Sequence, residues 1–378
     1  MRVKLSERYA HFDTKVPDIL SWARGGVINM AGGIPDPSTI LPEIVDIAME
    51  VVKQRGASAF QYGDSQGLPE LREEIVRLKG FGDPSGVVVT VGSQEGLDLI
   101  GKTFLGSHDA VAVEDPTYFV ALPAFKTYAS RVVPIPLTEE GLDLDGLEAA
   151  ARVGLRLLYL MPSLQNPTGR VMSLEERKAV LELAERYDFQ VVEDDPYSPL
   201  AVSELPPSMA RLGGDRVIHL STFSKTIAPG LRIGFIITTN EAASALANVK
   251  SATTISTPPI TQLIAAEFLR RGLMVKSVER ARRLYWEKLA AASEALKASG
   301  VSFQEPVGGF FIWLNAGVDT EELLRAALRL GVAFMPGRFF SVSGGFTTWL
   351  RMSVSQTTVG EARRGVKLLI EAIESIKK

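Results

Sequence analysis

The sequence of 378 residues contains no cysteine and only three histidines, His11, His108 and His219, which lie far apart along the chain. The absence of cysteine excludes disulfides, thiolate nucleophiles and cysteine-ligated metal sites. With so few histidines, neither a histidine metal cluster nor a histidine-based catalytic triad is expected. We therefore predict no metal site, and the chemistry must depend on other side chains.

Long apolar runs and an excess of basic charge are also missing. No apolar stretch reaches the roughly 18 residues that a membrane-spanning helix needs, and residues 1–8 lack the apolar core of a signal peptide. The formal net charge is −3 and the pI is about 5.8, with both signs mixed along the chain, so no basic surface is expected to bind nucleic acid. These features predict a cytoplasmic protein without nucleic-acid or membrane partners.

From about residue 87 onward, short apolar and β-branched runs alternate with helical patterns. Runs of nearly continuous hydrophobicity are typical of strands that are buried on both faces. Strands are predicted at Val87–Val91, Ala110–Glu114, Arg131–Ile135, Arg156–Met161, Gln190–Glu193, Val217–Ser221 and Ile233–Thr238. Ser173 and Glu176 form the pattern of a helix capping box. The alternation indicates an α/β fold with a mostly parallel sheet flanked by helices.

The pattern changes after about residue 270, where a smaller α+β unit is predicted. Its elements are a long helix over Val275–Ala298, a strand over Gly309–Leu314, a helix over Asp319–Leu330, strands near Val332 and over Trp349–Val354, and a final helix from about Val359. The first 45 or so residues are irregular and rich in turn formers. We predict an N-terminal segment over residues 1–45 that packs with the small domain, a large cofactor-binding domain over 46–270 and a small C-terminal domain over 271–378.

The stretch Ser221–Arg232 places the amine of Lys225 among small hydroxyl side chains, with an arginine seven residues on. An amine that forms a Schiff base with a phosphorylated aldehyde needs such neighbours. The hydroxyls and the guanidinium can hold a phosphate dianion while the lysine reaches the carbonyl carbon. A lysine in such a run is, by itself, more often a solvated loop residue. The functional interpretation therefore depends on the rest of the chain.

Two segments that follow predicted strands offer further binding groups, at the sheet edge where α/β folds place their ligands. In Thr90–Glu95, the hydroxyl of Ser93 and the backbone N–H groups around it form an anion pocket at a helix N-terminus. In Glu114–Tyr118, the ring of Tyr118 can stack on a planar cofactor. An N-capping serine and a core or rim aromatic are the ordinary alternatives.

Three more segments, each at or after a predicted strand, complete the set. The turn Pro162–Gly169 aims the amide of Asn166 above the strand ends, although turn formation alone explains its proline and glycine. Three acids in Glu193–Tyr197 are costly at the tip of a buried strand unless a cation such as a protonated ring nitrogen faces them; a solvated acidic turn is the alternative. Arg351 interrupts an apolar strand, so it either pairs internally or meets an acidic ligand.

In combination, these segments resemble the fold-type I, class I/II aminotransferases that use pyridoxal 5′-phosphate. The resemblance is strongest to the branch of 2-aminoadipate, kynurenine and multi-substrate aminotransferases. It extends over Ala31–Pro37, Gln61–Arg72, Gln165–Gly169, Glu193–Tyr197, Ser224-Lys225, Ala228–Arg232 and Leu350–Ser353. It implies a transaminase that moves an amino group from an L-amino acid to a 2-oxo acid such as 2-oxoglutarate in a ping-pong cycle.

The resemblance also implies roles around the cofactor ring. Lys225 would form the Schiff base and later shuttle a proton. Asp194 would keep the pyridine nitrogen protonated, which makes the ring an electron sink. Asn166 and Tyr197 would donate to the ring oxygen, and Tyr118 would stack on the ring.

At the two ends of the cofactor and substrate, the resemblance implies anion-binding groups. The phosphate would be held by Ser93, Gln94, Thr222, Ser224 and Arg232. Tyr62 would reach the phosphate from the neighbouring subunit, which implies a homodimer. Arg351 would bind the substrate α-carboxylate in a bidentate manner, helped by the N–H of Gly33 and the amide of Asn166.

The pattern departs from relatives that prefer acidic substrates, which often carry an arginine in the N-terminal segment. The matching residues Lys15–Trp22 contain no arginine, and Arg24 is out of register. Apolar or aromatic amino donors, or a broad specificity that includes 2-aminoadipate, are therefore expected. Arg338 in the loop Met335–Phe340 is either a partner for an acidic side chain or a solvated loop arginine.

Two other functions stay open at the level of sequence. The same lysine and electron sink can support a lyase or decarboxylase, because the fold does not decide the reaction type. Some transcription regulators fuse this domain to an N-terminal DNA-binding module. Here the aminotransferase-like pattern begins within the first few tens of residues and the pI is acidic, so a regulator is not expected.

Overall fold

The computed structural model describes residues 3–12, 26–138 and 140–377. The strands are β1 (Ile28–Asn29), β2 (Val87–Thr90), β3 (Ala110–Asp115), β4 (Arg131–Pro136), β5 (Leu157–Leu160), β6 (Gln190–Asp194), β7 (Val217–Thr222), β8 (Gly234–Ile237), β9 (Phe311–Asn315), β10 (Val332–Ala333), β11 (Met335–Pro336) and β12 (Trp349–Ser353). The α-helices are α1 (Glu43–Arg55), α2 (Pro69–Lys79), α3 (Gly92–Phe104), α4 (Leu122–Lys126), α5 (Leu144–Arg152), α6 (Leu174–Tyr187), α7 (Met209–Gly213), α8 (Asn240–Ser251), α9 (Pro259–Arg270), α10 (Leu273–Ser299), α11 (Thr320–Leu330) and α12 (Val359–Lys377).

The central sheet has seven strands in the order β2-β8-β7-β6-β5-β3-β4. Strands β7, β6, β5, β3 and β4 are parallel to one another, and β8 is antiparallel to both β2 and β7. The seven predicted strands and the mostly parallel α/β sheet are therefore confirmed. The antiparallel direction of β8 was not predicted, because a buried strand has the same apolar pattern in either direction.

Apart from the edge strand β4, the sheet is buried on both faces, which explains the continuous apolar runs. In β3, Val111 and Val113 join one core cluster, whereas Ala110 and Ala112 join another on the opposite face. Successive side chains of a strand point to opposite faces, so both faces need a helical cover. Each fully buried valine or leucine contributes about 1.5–3 kcal/mol to folding.

The capping box predicted before α6 is present. The backbone N–H of Glu176 donates to Ser173 Oγ at 3.2 Å, and the N–H of Ser173 donates to Glu176 Oε2 at 2.9 Å. Two N–H groups that the first helical turn leaves unpaired are satisfied in this way. Val180, Leu183 and Ala184 of this helix are buried.

The C-terminal part contains an antiparallel sheet in the order β11-β12-β9, and α10 and α12 pack against each other. The N-terminal segment adds β1, which pairs in parallel with β10. Met30 continues this link, since its N–H donates to Ala333 O at 2.9 Å and its carbonyl accepts from Ser353 N at 2.7 Å.

The domain boundaries at residues 45 and 270 stay a prediction. In the described ranges, no helix is long and apolar enough to cross a membrane.

Candidate active site

A cleft with about 730 Å³ of empty space lies at the carboxyl ends of the parallel strands. It brings together eleven of the thirteen predicted site residues: Gly33, Ser93, Gln94, Tyr118, Asn166, Asp194, Tyr197, Thr222, Ser224, Lys225 and Arg232. Parallel strands end at one edge of a sheet, so loops that are distant in sequence meet there. Of the other two, Arg351 contacts the wall of the cleft and Tyr62 lies outside it.

The amine of Lys225 lies in this cleft. Its Nζ donates to the carbonyl oxygen of Gly33 at 3.1 Å and lies 6.0 Å from the ring centre of Tyr197. Burial, together with the positive charges of Arg232 and Arg351, lowers the pKa of Lys225 to about 8 against the opposing charge of Asp194. A substantial fraction of this amine is therefore neutral near pH 8, and a neutral amine can act as a nucleophile.

Asp194 is buried at the end of β6 and uses only one of its carboxylate oxygens. Oδ2 accepts a hydrogen bond of 2.8 Å from the hydroxyl of Tyr159, whereas Oδ1 is buried without a partner in the described part of the chain. Burial raises the pKa of the Asp194 carboxyl to about 7, although the Tyr159 hydrogen bond opposes this. A cation placed at Oδ1 would satisfy this oxygen and keep the carboxylate ionised.

The neighbouring acids have separate partners, so the solvated acidic turn considered above is wrong. Glu193 is fully buried and its Oε2 lies 2.9 Å from His219 Nδ1. Asp195 is also buried, pairs with Lys79 Nζ at 3.2 Å, and accepts from the N–H of Ser198 at 3.0 Å. Only Asp194, between them, keeps a buried oxygen for another group.

Hydroxyl and cationic groups meet at one end of the cleft. The Thr222 hydroxyl donates to Ser224 Oγ at 2.9 Å, so both hydroxyls face the same space. The guanidinium of Arg232 lies over Gly92, where an added Cβ would come within 2.3 Å of Nη2. Gly92 also has a φ of +73° and begins α3, whose first N–H groups, including that of Ser93, have no partner within the helix. This end is suited to an anion such as phosphate.

Two tyrosines flank the middle of the cleft. Tyr118 is half-buried, and burial raises its pKa to about 12. Tyr197 is buried, with its ring edge-on to Phe310 and Phe311 at 5.5 and 5.6 Å between centres. Burial raises the pKa of Tyr197 as well, so both phenols stay protonated hydrogen-bond donors over the ordinary pH range.

Arg351 is buried beside the cleft with its guanidinium between two rings. The guanidinium carbon lies 4.2 Å from the ring centre of Phe311 and 4.9 Å from that of Phe340. Nη1 donates to Asn166 Oδ1 at 2.7 Å and Nη2 to Ala31 O at 2.6 Å. No carboxylate of the described residues lies within 4.0 Å, and Nε is buried without a partner. Among the described residues Arg351 thus has internal hydrogen-bond partners but no ion-pair partner, so its charge remains available to an acidic ligand.

Tyr62 and Arg338 lie on the surface. The side chain of Tyr62 is 75% exposed, and the chain does not bring it to its own cleft. Arg338 is exposed and forms an ion pair with Glu321, which agrees with the interpretation as a surface arginine. The segment Lys15–Trp22 and Arg24, which bear on specificity, lie outside the described residues.

Sequence reasoning missed three residues that shape this site. Tyr159 holds Asp194, and the two rings of Phe311 and Phe340 hold Arg351. Tyr159 carries the single hydroxyl of β5, which otherwise consists of leucines, and this was a usable signal. Phe311 and Phe340 carried no such signal, because a buried phenylalanine is an ordinary core residue.

The chain is similar to known proteins over most of its length. The model of the family "Aminotransferase class I and II" matches residues 26–369. The 2-aminoadipate transaminase of Thermus thermophilus is 37% identical over 366 residues, covering 93% of this chain and 91% of that protein. Aromatic-amino-acid aminotransferase 1 of Thermococcus litoralis is 36% identical over 372 residues, covering 93% of this chain and 89% of that protein.

Among solved structures, the α-aminoadipate aminotransferase of Thermus thermophilus, complexed with N-(5′-phosphopyridoxyl)-L-leucine, matches with a TM-score of 0.91. The two sequences are 34% identical, and the match covers 99% of this chain and 98% of that chain. The chain belongs to the class I and II aminotransferases. It is a pyridoxal-phosphate-dependent transaminase, which confirms the predicted family, enzyme class and cofactor.

The residues of the cleft fit this cofactor. The unpartnered Oδ1 of Asp194 offers an acceptor for a protonated ring nitrogen. Lys225 offers an amine whose pKa is already lowered to about 8. Arg232 and the N-terminus of α3 offer the positive end that a phosphate needs.

Proposed function

We propose that this transaminase accepts L-amino acids with apolar or aromatic side chains, or a broad range that includes 2-aminoadipate. The amino group passes to a 2-oxo acid such as 2-oxoglutarate in a ping-pong cycle. The observation that carries this proposal is the placement of Lys225, Asp194 and Asn166 around one cleft, with Arg351 hydrogen-bonded to Asn166. The relatives named 2-aminoadipate transaminase and aromatic-amino-acid aminotransferase support the substrate range.

Pyridoxal phosphate supplies, when bound, an aldehyde that condenses with amines and a ring that withdraws electrons from the substrate Cα. Asp194 is proposed to hold the ring nitrogen protonated, because its Oδ1 has no partner in the described ranges and Tyr159 fixes the other oxygen. The positive ring nitrogen would in turn lower the pKa of Asp194 from about 7 and keep the carboxylate ionised. Tyr159 is thus proposed to orient Asp194.

Lys225 is proposed to move the proton at the substrate Cα. A general base works best when its pKa lies near the working pH, and burial has lowered the pKa of this amine to about 8. The carbonyl of Gly33, 3.1 Å from Nζ, gives the amine an acceptor on the side of the N-terminal segment. Asn166 and Tyr197 are proposed to donate to the ring oxygen, and Tyr118 to pack on the ring.

Arg351 is proposed to bind the α-carboxylate that amino acids and 2-oxo acids share. Its Nε is buried without a partner in the described residues, so a donor remains for the ligand. Packing between Phe311 and Phe340 restricts the guanidinium to one plane, which reduces the entropy lost on bidentate binding. The Gly33 N–H and the Asn166 amide are proposed to assist.

The phosphate is proposed to bind where hydroxyls and cations meet, at Ser93, Gln94, Thr222, Ser224 and Arg232. A contribution from Tyr62 requires a second subunit, since Tyr62 is 75% exposed and outside its own cleft. A homodimer with shared active sites is therefore proposed as the working unit.

An apolar preference is supported by the charges around the cleft. The positive side chains at the cleft among the described residues are Lys225, Arg232 and the adjacent Arg351, and each has a proposed role. Arg338 is held by Glu321 on the surface. A second carboxylate, on a substrate side chain, therefore finds no further cation among the described lining residues.

A substrate screen tests this function. The cofactor-loaded protein is incubated with aromatic, branched, acidic and 2-aminoadipate donors and 2-oxoglutarate, and glutamate formation is followed. Leucine or phenylalanine is expected to give higher kcat/KM than aspartate. A preference for aspartate would contradict the proposed range. Pyruvate or ammonia released without any 2-oxo acid would instead indicate a lyase on the same scaffold.

A further inference from the structure

A second cleft shares Thr222 with the active site but is otherwise lined by different residues. It holds about 890 Å³ of empty space and opens to solvent between the end of α2, strands β7 and β8 and the first turns of α10. None of the roles proposed above, apart from that of Thr222, requires a residue of this cleft.

One wall of this second cleft is apolar. It includes Phe223 and Phe235, whose ring centres lie 5.2 Å apart, and Met274 and Val278 on α10. Surface clefts with a continuous apolar wall and a few polar groups are typical of ligand sites. The wall is therefore suited to an apolar tail.

Arg282 supplies a cation with unused donors. Its Nη2 donates to the carbonyl oxygen of Pro199 at 2.9 Å, but its Nε is buried without a hydrogen-bond partner in the described ranges. No carboxylate of the described residues lies within 4.0 Å of Arg282. Lys79, also in this cleft, is already paired with Asp195 at 3.2 Å. Glu279 also lines this cleft, one turn before Arg282, but it is exposed to solvent, where its charge is screened.

We propose that this second cleft binds a small carboxylic acid with an apolar tail. The two carboxylate oxygens match the planar donors of the Arg282 guanidinium, and one of them satisfies the buried Nε. The tail packs against Phe235 and Val278. The ligand lies behind the stretch that carries Thr222 and Lys225, and it is separate from the α-carboxylate site at Arg351.

The surrounding contacts connect this ligand site to the active-site loops. Ser277 on α10 donates its hydroxyl to the carbonyl of Thr226, one residue after Lys225. The carbonyl of Pro199, which Arg282 holds, lies two residues after Tyr197. A ligand on Arg282 therefore contacts the elements that support both sides of the cofactor cleft.

Isothermal titration of the cofactor-loaded protein with 4-phenylbutyrate tests the proposal, because this acid has neither an amino nor a 2-oxo group. Arg282→Gln is expected to weaken binding about tenfold or more, since a charge-assisted hydrogen bond is lost. Arg283→Gln is the matched control, because it removes the same charge from the next, exposed position of α10 and should leave Kd unchanged. Arg351→Gln should also retain binding.

Two further measurements test the role of the apolar wall in binding. Val278→Asp places a negative charge in the apolar wall and should abolish binding even if Arg282→Gln fails to fold. Acetate, which lacks the tail, should bind at least tenfold more weakly than 4-phenylbutyrate. The proposal is overturned if 4-phenylbutyrate does not bind the wild-type protein at millimolar concentration, or if its Kd is the same for Arg282→Gln and wild type. It is also overturned if Arg351→Gln loses binding of 4-phenylbutyrate, or if acetate binds as tightly as 4-phenylbutyrate.

Discussion

Tyr159 donates a hydrogen bond of 2.8 Å to one oxygen of Asp194 and leaves the other oxygen, Oδ1, buried without a partner among the described residues. A buried acceptor of this kind costs stability unless a ligand satisfies it. The site therefore holds an unfavourable arrangement in the cofactor-free chain that the protonated ring of the cofactor would relieve.

Asp194→Asn is expected to stabilise the cofactor-free protein above neutral pH and to reduce transamination by at least about a hundredfold. Burial raises the folded-state pKa of the carboxyl from 3.8 to about 7. The stability contributed by the neutral carboxyl is therefore complete below pH 4 and is lost as the pH rises through 7. The advantage of the variant should grow between pH 5 and pH 7 by on the order of 3 kcal/mol and then level off.

Urea denaturation of both cofactor-free proteins at several pH values measures this difference. Asp195→Asn is the control, and its stability should change in the opposite direction. Burial raises the pKa of Asp195, but the contacts with Lys79 and Ser198 outweigh burial and lower it overall. That variant should be less stable than wild type at pH 7. An Asp194→Asn protein that is less stable than wild type at pH 8 would contradict the account given for Asp194.

The reactivity of Lys225 is expected to follow a pKa near 8. Since the neutral amine is the nucleophile, the rate at which the cofactor-free protein binds pyridoxal covalently should rise with pH and level off above about pH 9. Arg232→Gln should move the midpoint upward, because a positive neighbour that disfavours the ammonium form is removed. Stopped-flow absorbance from pH 6 to pH 10 measures both curves.

Pyridoxal without phosphate is used in that experiment so that a loss of phosphate binding does not affect the rate. Lys225→Ala should give no covalent product, and peptide mass spectrometry after borohydride reduction should find the label at Lys225 in wild type. A midpoint close to 10.5, the ordinary value for lysine, would show that the amine is not desolvated as described.

Arg351→Lys is expected to lower kcat/KM for amino donors and 2-oxo acceptors by similar factors of about tenfold to a hundredfold. Lysine keeps the charge but loses the planar pair of donors and the packing between Phe311 and Phe340. Arg338→Gln, which removes an exposed cation, is the control and should change neither value by more than about twofold. Steady-state kinetics with varied donor and acceptor provide the test, and equal losses in both variants would argue against a specific role for Arg351.

Tyr62 is expected to act on the cleft of a second subunit. Tyr62→Ala and Lys225→Ala homodimers should each have low activity at limiting cofactor. In hybrids formed by mixing the two, one cleft would combine a native Lys225 with a native Tyr62 of the other subunit, so activity should return. If Tyr62 acted within its own chain, no native cleft would form and the hybrids would stay inactive. Subunit exchange followed by an activity assay at limiting cofactor distinguishes the two.

Much of this fold could be read from the sequence because its elements have strong local signals. Six of the seven strands of the central sheet are buried on both faces, and only the edge strand β4 is partly exposed, so each buried strand is a short apolar run ended by polar or turn-forming residues. Ser173 and Glu176 marked the start of α6 through a contact three residues apart. The direction of β8 had no local signal, since it depends on where the chain re-enters the sheet.

In the active site, too, some features had a local sequence signal and others did not. Asp194, Asn166 and Lys225 could be predicted because each lies at or after the end of a strand, and parallel strands end at one edge. The hydrogen bond from Tyr159 to Asp194 and the ion pair between Lys79 and Asp195 join residues that are 35 and 116 positions apart. No periodicity or motif reports such pairs, because they depend on the order of strands and on helix packing.

By itself, the sequence determined which elements form, which reactive side chains lie at the strand ends and which family the chain resembles. These properties depend on residue type and on spacing within a few turns or strands. Only the tertiary structure decided that Arg351 has no carboxylate partner among the described residues and lies between two rings, and that Asp194 keeps one unused oxygen. Burial and pairing are set by neighbours from distant parts of the chain, and these are in contact only after the sheet and its helices have packed together.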